Sequence, residues 1–483
     1  MRRRSESTRR RSHRILAAPP PLVLVAIALA IGAAIVARTM ATMRAPVYDV
    51  AVVGGGLAGM VAALEASSAG AGIVLVDKEA RLGGNSAKAS SGINTAVDEG
   101  DVPDFIADTV RSGKGHSNSD LVKVLVEQSR AAFAFLKEST GLDLSSVTQL
   151  GGHSLPRTHR NPTGPNVGYA ITSALIARIQ SSPRITVRLA SPVASLSPTP
   201  DRFVLSFADG STATAKAVVV TTGGFAANSD LLREHAPNVS DLPTTNGPWA
   251  NGDGLRLISN AALVDMDQVQ VHPTGLVDAA DPTGRVKFLA PEALRGVGGI
   301  LVNDAGRRFV NELATRDVVS RAILDQHGAH AFLVLDRAAC DRFGQSTIAF
   351  YVKRGLAHRF TSAGETELGA ALAEALDRFG RSAAGDLDDE FGRTVFPEKV
   401  TGANDEVIVM EVVPSVHYTM GGIRIDTRAR ILDQQGRVIP RAYAAGEVTG
   451  GVHGGNRLGG NSLLECVVFG RIAGRQAAEE SRQ

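Results

Sequence analysis

Val47-Tyr48-Asp49-Val50-Ala51-Val52-Val53-Gly54-Gly55-Gly56-Leu57-Ala58-Gly59 is the stretch on which the fold turns. The apolar run from Val47 to Val53 predicts a buried strand. Leu57 to Ser68 predicts a helix, ended by Gly70 and Gly72, and Ile73 to Val76 a second strand that runs into Asp77. Between strand and helix, Gly54 permits a tight turn and Gly56 lets the backbone approach a pyrophosphate. Gly59 lets the helix lie close to the strand, so that a diphosphate meets the helix N-terminus. Asp77 is placed for ribose hydroxyls. Strand, helix, spacing and acid agree on a Rossmann-like α/β unit. The motif alone leaves FAD and NAD both open.

Around that unit the bulk numbers set bounds. A chain of 483 residues is long for one core, so two domains are expected. Aromatic residues make up 5% of it, which argues against base-stacking nucleic-acid modules. The net charge of +2 is segregated: residues 1–14 carry seven Arg and one Glu, leaving the rest weakly acidic and without a nucleic-acid footprint. The two cysteines, Cys340 and Cys466, form neither CxxC nor CxxCH, so no haem attachment or metal site is expected and buried free thiols are the reading.

Residues 1–45 read as a targeting segment. An uncharged stretch between Arg14 and Arg38 holds the apolar run Leu22 to Ala37 (22–37), which is expected to form a helix. With arginines before the run, a signal anchor would place the main domain across an endomembrane, on the ER lumen side. A cleaved secretory signal ending near Thr39-Met40-Ala41 and a mitochondrial presequence with a sorting helix are the alternatives.

Further along, helices are expected over Pro103 to Arg111, over Asp120 to Glu138 with Ser119 as N-cap, and over Gly168 to Ile179. Two or three strands fall between Ile185 and Phe207, another at Ala217 to Thr221, and Asp253 to Ala262 reads as helical. From 272 to 417 short strands such as Gly299 to Val302 mix with helices such as Thr366 to Phe379. Glycine-rich turns return afterwards, then a strand at Ala442 to Ala445 and a closing helix at Leu463 to Glu480.

Several separated motifs carry Arg, His and Glu: Val271-His272-Pro273-Thr274, Pro291-Glu292-Ala293-Leu294-Arg295-Gly296, Asn311 to Asp317 with Arg316, Val416-His417-Tyr418-Thr419, and Gly454 to Asn461 with Arg457. Arginine forks pair bidentately with carboxylates, so a nucleotide site with such residues suggests redox chemistry on a small anionic substrate. This set resembles the flavoprotein fumarate reductases, both the soluble fungal type and the flavin part of flavocytochrome c, within the succinate dehydrogenase flavoprotein superfamily. The likeness covers roughly residues 47 to 475.

The resemblance implies an α/β Rossmann-like FAD-binding domain, residues 46–271 and 418–483, with an inserted α+β capping domain, 272–417. It implies noncovalent FAD, held at Gly54, Gly56, Leu57, Ala58 and Gly59, at Asp77 and Lys78, and at Gly84, Asn85, Ser86, Ser90 and Gly92. Gly223 and Gly224, in Thr221 to Phe225, would form a second flavin turn, Asp253 a further cofactor contact, and Glu447, Ser462 and Leu463 the late segment. Gly151 to Ser154 and Arg157 to Arg160 would be positioned near the flavin. Arg316 falls where the family has its proton donor, Glu292 and Arg295 on its proton relay, and His272, His417 and Arg457 on its carboxylate ligands. No metal is implied. The implied reaction is hydride transfer from reduced flavin N5 to fumarate, giving succinate, with an external reduced flavin or reductase as electron donor. One departure stands beside the relay: where the flavocytochrome type has a hydroxyl residue, this chain has Pro291. A reductase of another unsaturated acid, a ketosteroid dehydrogenase and a non-catalytic FAD-binding electron relay are the alternative readings.

Overall fold

The structure is a computed structural model that describes residues 46–483. The targeting segment, with its expected helix at 22–37, lies outside the described residues. Among the described residues no helix is long and apolar enough to cross a membrane.

The opening unit forms as its sequence dictates. Strand Val47–Val53, helix Leu57–Ser68 and strand Ile73–Val76 follow in order, with the apolar residues of both strands buried. They sit at the centre of an eight-stranded sheet. Val47–Val53 pairs in parallel with Ile73–Val76 on one side and with Thr212–Val220 on the other. Val438–Ala444 then adds to Thr212–Val220, and Ile185–Arg188 to Ile73–Val76, both in parallel. An antiparallel hairpin, Val193–Pro198 and Phe203–Phe207, hangs from Thr212–Val220. Parallel strands end at the same edge, so Val53, Val76, Val220 and Ala444 all stop together. The loops beyond that edge are where an open α/β sheet binds ligands.

The closing helix Asn461–Glu480 lies against helix Leu57–Ser68. Glycines allow the close approach: a Cβ on Gly474 would come within 2.3 Å of the Ala62 carbonyl oxygen, and one on Gly470 within 2.7 Å of that of Ala58. The buried faces of these two helices and of the sheet make one continuous apolar core.

A second, antiparallel sheet has six strands. Val407–Thr419, its long central strand, pairs with Val269–Leu276 and with Ala331–Asp336. Two smaller apolar clusters pack on this sheet. The expected boundaries at 272 and 417 fall inside Val269–Leu276 and Val407–Thr419, so both strands continue across them. Residues 47–483 form a single compact unit.

Local expectations diverge at three places. The segment Asp120 to Glu138 is two helices, Ser119–Glu127 and Ser129–Thr140, joined at Gln128. Its N-cap is Asn118 rather than Ser119, because the Asn118 side chain accepts from the amides of Asp120 and Leu121. Asp253 to Ala262 is only a 3₁₀ turn at Asp253–Arg256. It is pressed against the turn after Thr212–Val220, where a Cβ on Gly254 would meet Thr222 Oγ1 at 1.9 Å.

Candidate active site

A cavity of ≈ 660 Å³ opens beyond the carboxyl ends of the parallel strands. Its walls are the loops that leave those strands. Gly54, Gly56, Leu57 and Ala58 come from the first turn, and Asp77 and Lys78 from the end of the second strand. Gly84, Asn85, Ser86, Ser90 and Gly92 line it from the glycine-rich stretch, with Gly223 and Asp253 across from them. Glu447, Ser462 and Leu463 close it at the start of the last helix. All but two of the expected cofactor residues therefore face one space.

The exceptions are Gly59 and Gly224, which act beneath the wall. A Cβ on Gly59 would stand 1.9 Å from the Gly54 carbonyl oxygen, and one on Gly224 would stand 2.1 Å from Thr419 Oγ1. Each lets two segments touch. The 151–160 stretch also departs from expectation, since none of it lines the cavity. Arg157 is fully buried and bound to Asp101 and Asp108, and the Gly151 amide donates to Glu292 Oε1 at 2.9 Å. Gly151 thus braces Glu292, and Arg157 is taken up by the protein's own carboxylates.

The wall fits a dinucleotide. Gly56 has φ −71°, and a Cβ there would have only Ser86 Oγ nearby, at 3.8 Å, so its glycine leaves open space on the cavity side. Asp77 Oδ2 accepts from the Gly55 amide at 2.7 Å, which ties the glycine turn to the second strand. Thr222 Oγ1 and Ser90 Oγ are buried and have no hydrogen-bond partner among the described residues, though both residues line the cavity. Buried polar atoms are normally satisfied, so a polar ligand is the natural partner. Lys78 is paired with Asp253 at 2.6 Å. Burial pushes Glu447 up to about 7.

Arg316, Arg457, His417 and Lys88 are on the wall. Arg316 begins helix Arg316–Leu324, His417 and Tyr418 end the long strand Val407–Thr419, and Arg457 lies in the loop before the last helix. Arg316 Nε donates to Glu292 Oε2 at 2.6 Å and its NH1 to Gln270 Oε1 at 2.8 Å. Glu292 and Arg295 are not on the wall but directly behind it, fully buried, with Arg295 NH2 3.8 Å from Glu292 Oε1. Burial alone would raise Glu292, yet Arg316 and Arg295 outweigh it and hold the carboxylate at about 2. Burial draws Arg295 below its usual value, and its Nε and NH2 have no hydrogen-bond partner among the described residues.

His272 stands behind His417, ring centroids 4.9 Å apart, and does not reach the wall. Burial, then the neighbouring Arg316, holds both imidazoles well below their usual range, so both are neutral. His417 Nδ1 shares a 2.7 Å hydrogen bond with Thr245 Oγ1. Burial and the nearby Arg316 bring Arg457 down to about 10. A wall of charged arginines with neutral histidines between them attracts carboxylates, whose charge would offset the repulsion between Arg316 and Arg457.

Sequence reasoning passed over three wall residues and supports. Lys88 donates to the Thr245 carbonyl at 2.6 Å and is drawn down by burial. Gln270 holds Arg316, and Thr245 fixes the His417 ring. None belongs to a spacing pattern; only tertiary contact reveals them. Cys340 and Cys466 are free and buried, as expected, and burial pushes the Cys340 thiol up to about 12.

The sequence matches the FAD binding domain family over residues 49–463. It is 39% identical to fumarate reductase 1 of Saccharomyces cerevisiae, over 90% of this chain and 99% of that protein. It is 38% identical to a fumarate reductase of Schizosaccharomyces pombe, over 88% of each. Among solved structures, the open conformation of a flavocytochrome c3 fumarate reductase superposes with a TM-score of 0.70 at 33% identity, covering 93% of this chain and 81% of that one.

Proposed function

The chain belongs to the FAD-binding fumarate reductase flavoprotein family, and from that premise we propose that it reduces fumarate to succinate. The observation that carries the proposal is Arg316. Its guanidinium stands on the cavity wall with a buried carboxylate, Glu292, at 2.6 Å and a second buried arginine behind that. A surface ion pair would need none of this burial.

The residues along the glycine turns would hold FAD, which in its reduced form would supply the hydride. The chain's own residues do the rest. Arg457 and His417 grip one carboxylate, the fork supplying two parallel N–H donors and the neutral imidazole one. The second carboxylate falls to His272, whose Nε2 has no partner among the described residues. That ring stands behind His417 and off the cavity wall, on a strand paired with the one that carries His417. Arg316 then gives a proton to the alkene carbon that does not receive hydride. Guanidinium normally stays protonated, but the carbanion it meets is far more basic. Glu292 and Arg295 return the proton, and Glu292, at about 2, stays ionised between turnovers.

The same wall argues against a steroid. Two arginines, a lysine and a histidine around the reacting end would be desolvated by an apolar ligand with nothing to pair them. An electron donor must come from outside these residues. We read the family's external reduced flavin or a reductase in that role, and the compartment as membrane-bounded through residues 1–45.

Two outcomes check the reading. The purified chain should be yellow, with one FAD per chain that acid releases. Flavin that stays with the precipitated protein would show a covalent bond, and NAD in place of FAD would remove the cofactor assignment. Reduced holoenzyme should be reoxidised far faster by fumarate than by other unsaturated acids. Equal rates with a monocarboxylate such as acrylate would discard the two-carboxylate site.

A further inference from the structure

One buried group of titratable side chains has no part in the mechanism above. Glu465, on the last helix, is 1% exposed. Its Oε2 accepts a short hydrogen bond from Tyr418 Oη and lies 2.9 Å from His453 Nε2, while its Oε1 accepts from Thr449 Oγ1 at 3.2 Å. The His453 ring meets the Tyr418 ring edge-on, 5.8 Å between centroids. So the tyrosine is fixed at its hydroxyl and along one edge.

Its face is not idle. The Arg457 guanidinium carbon sits 4.2 Å from the Tyr418 ring centroid. Arg457 has little else to hold its charged end. Its one side-chain hydrogen bond is from NH1 to the Leu458 carbonyl at 3.3 Å, and its Nε has no partner among the described residues. Gln270 fixes only the Arg457 main-chain carbonyl, at 2.9 Å. Among the described residues no carboxylate forms a salt bridge with this arginine, which is 3% exposed. A buried cation without an ion pair is held best by an aromatic face. A carboxylate drawing on the phenol hydrogen enriches the ring and strengthens that attraction.

We propose that Tyr418, clamped by Glu465 and His453, is a positioning residue that aims the Arg457 fork into the cavity while leaving its donors free for a substrate carboxylate. A carboxylate partner would position the arginine equally well but would compete with the substrate for it. The ring orients without competing. This inference rests on the reading of Arg457 as a substrate ligand, and the test separates the two.

Four single variants and one double variant are measured as FAD-loaded holoenzyme, with KM and kcat for fumarate, FAD content and Tm. Arg457→Ala should raise KM by about 10-fold or more, the loss of a charge-assisted pair. Tyr418→Leu should raise KM by about 10-fold with kcat and FAD content retained, and should add little in the Arg457→Ala background. Tyr418→Phe keeps the face but loses the hydroxyl clamp, so its KM should rise by only a few fold and stay well below that of Tyr418→Leu. Glu465→Gln, nearly isosteric, loosens the hydroxyl clamp and should raise KM by a few fold. It decides the question if Tyr418→Leu loses flavin. If Arg457→Ala raises KM but Tyr418→Leu and Glu465→Gln do not, the inference fails alone. A Tyr418→Leu effect undiminished without Arg457 also overturns it. If Arg457→Ala leaves KM unchanged, the substrate reading itself falls.

Discussion

Replacing Arg316 by Ala is expected to abolish fumarate reduction, with kcat falling by ~10²–10⁴-fold or more and KM little changed. A proton donor acts only in the transition state, so its loss falls on kcat. A carboxylate clamp would lose KM instead. The structure adds a third possibility, because Arg316 is also buried and paired with Glu292 at 2.6 Å. Stripping one partner from a buried ion pair costs roughly 3–5 kcal/mol when the other charge is left alone. Glu292 is not left alone. It keeps the Gly151 amide at 2.9 Å and Arg295 at 3.8 Å. The variant should therefore fold and hold FAD with a lowered Tm. Arg316→Lys sharpens the result. It restores a positive charge beside Glu292 but not the planar fork that reaches Glu292 and Gln270 at once. Its Tm should recover while its kcat stays down by about 100-fold or more. FAD-loaded Arg316→Ala that keeps most of its turnover would sink the mechanism. A recovered Tm with recovered kcat in the lysine variant would reduce Arg316 to a charge.

The parts of this reading that the sequence carried are those with a local cause. The first strand, helix and second strand fall on the expected residues because an apolar run, a glycine turn and a helix stop are written within thirty positions of one another. The closing helix begins two residues before its expected start for the same reason. Asp253 to Ala262 failed because its conformation is set by a remote surface, the Thr222 turn, and not by its own pattern. The active-site residues divide the same way. Arg316, His417 and Arg457 were legible through motifs, and they do share one wall. That Glu292 and Arg295 stand behind the wall, and that His272 stands behind His417, depends on which side of a strand or turn each faces in three dimensions. The 151–160 motif shows the limit most plainly. Its residues come near the cofactor loops in the fold, yet Arg157 spends its donors on Asp101 and Asp108. A buried arginine needs carboxylates wherever it finds them, and sequence spacing cannot say whether those belong to a ligand or to the protein.

The glycines of the first turn should fail in two different ways when given a methyl group. Gly59→Ala puts a Cβ 1.9 Å from the Gly54 carbonyl oxygen and 2.7 Å from Thr221 Oγ1. Neither can retreat. Gly54 is tied by its amide to the Val76 carbonyl at 2.8 Å, and Thr221 Oγ1 donates to the Gly54 carbonyl at 2.8 Å. Helix and sheet must separate at the centre of the larger core, so the folded protein itself is expected to be lost or its Tm to drop sharply. Gly56→Ala is the opposite case. Gly56 already has φ −71° and ψ −174°, which any residue adopts, and its Cβ would meet nothing closer than Ser86 Oγ at 3.8 Å. The chain should fold with a near-parental far-UV spectrum. The methyl group projects into the space where the backbone meets a diphosphate, at the N-terminus of helix Leu57–Ser68. Overpacking of ~1–3 kcal/mol there corresponds to about 5- to 150-fold weaker FAD binding, so the variant should purify largely colourless and take up FAD only at high concentration. Titration of added FAD by flavin fluorescence quenching, with circular dichroism on the same sample, measures both quantities. A folded Gly56→Ala protein that retains a full complement of FAD would place the diphosphate somewhere other than this turn.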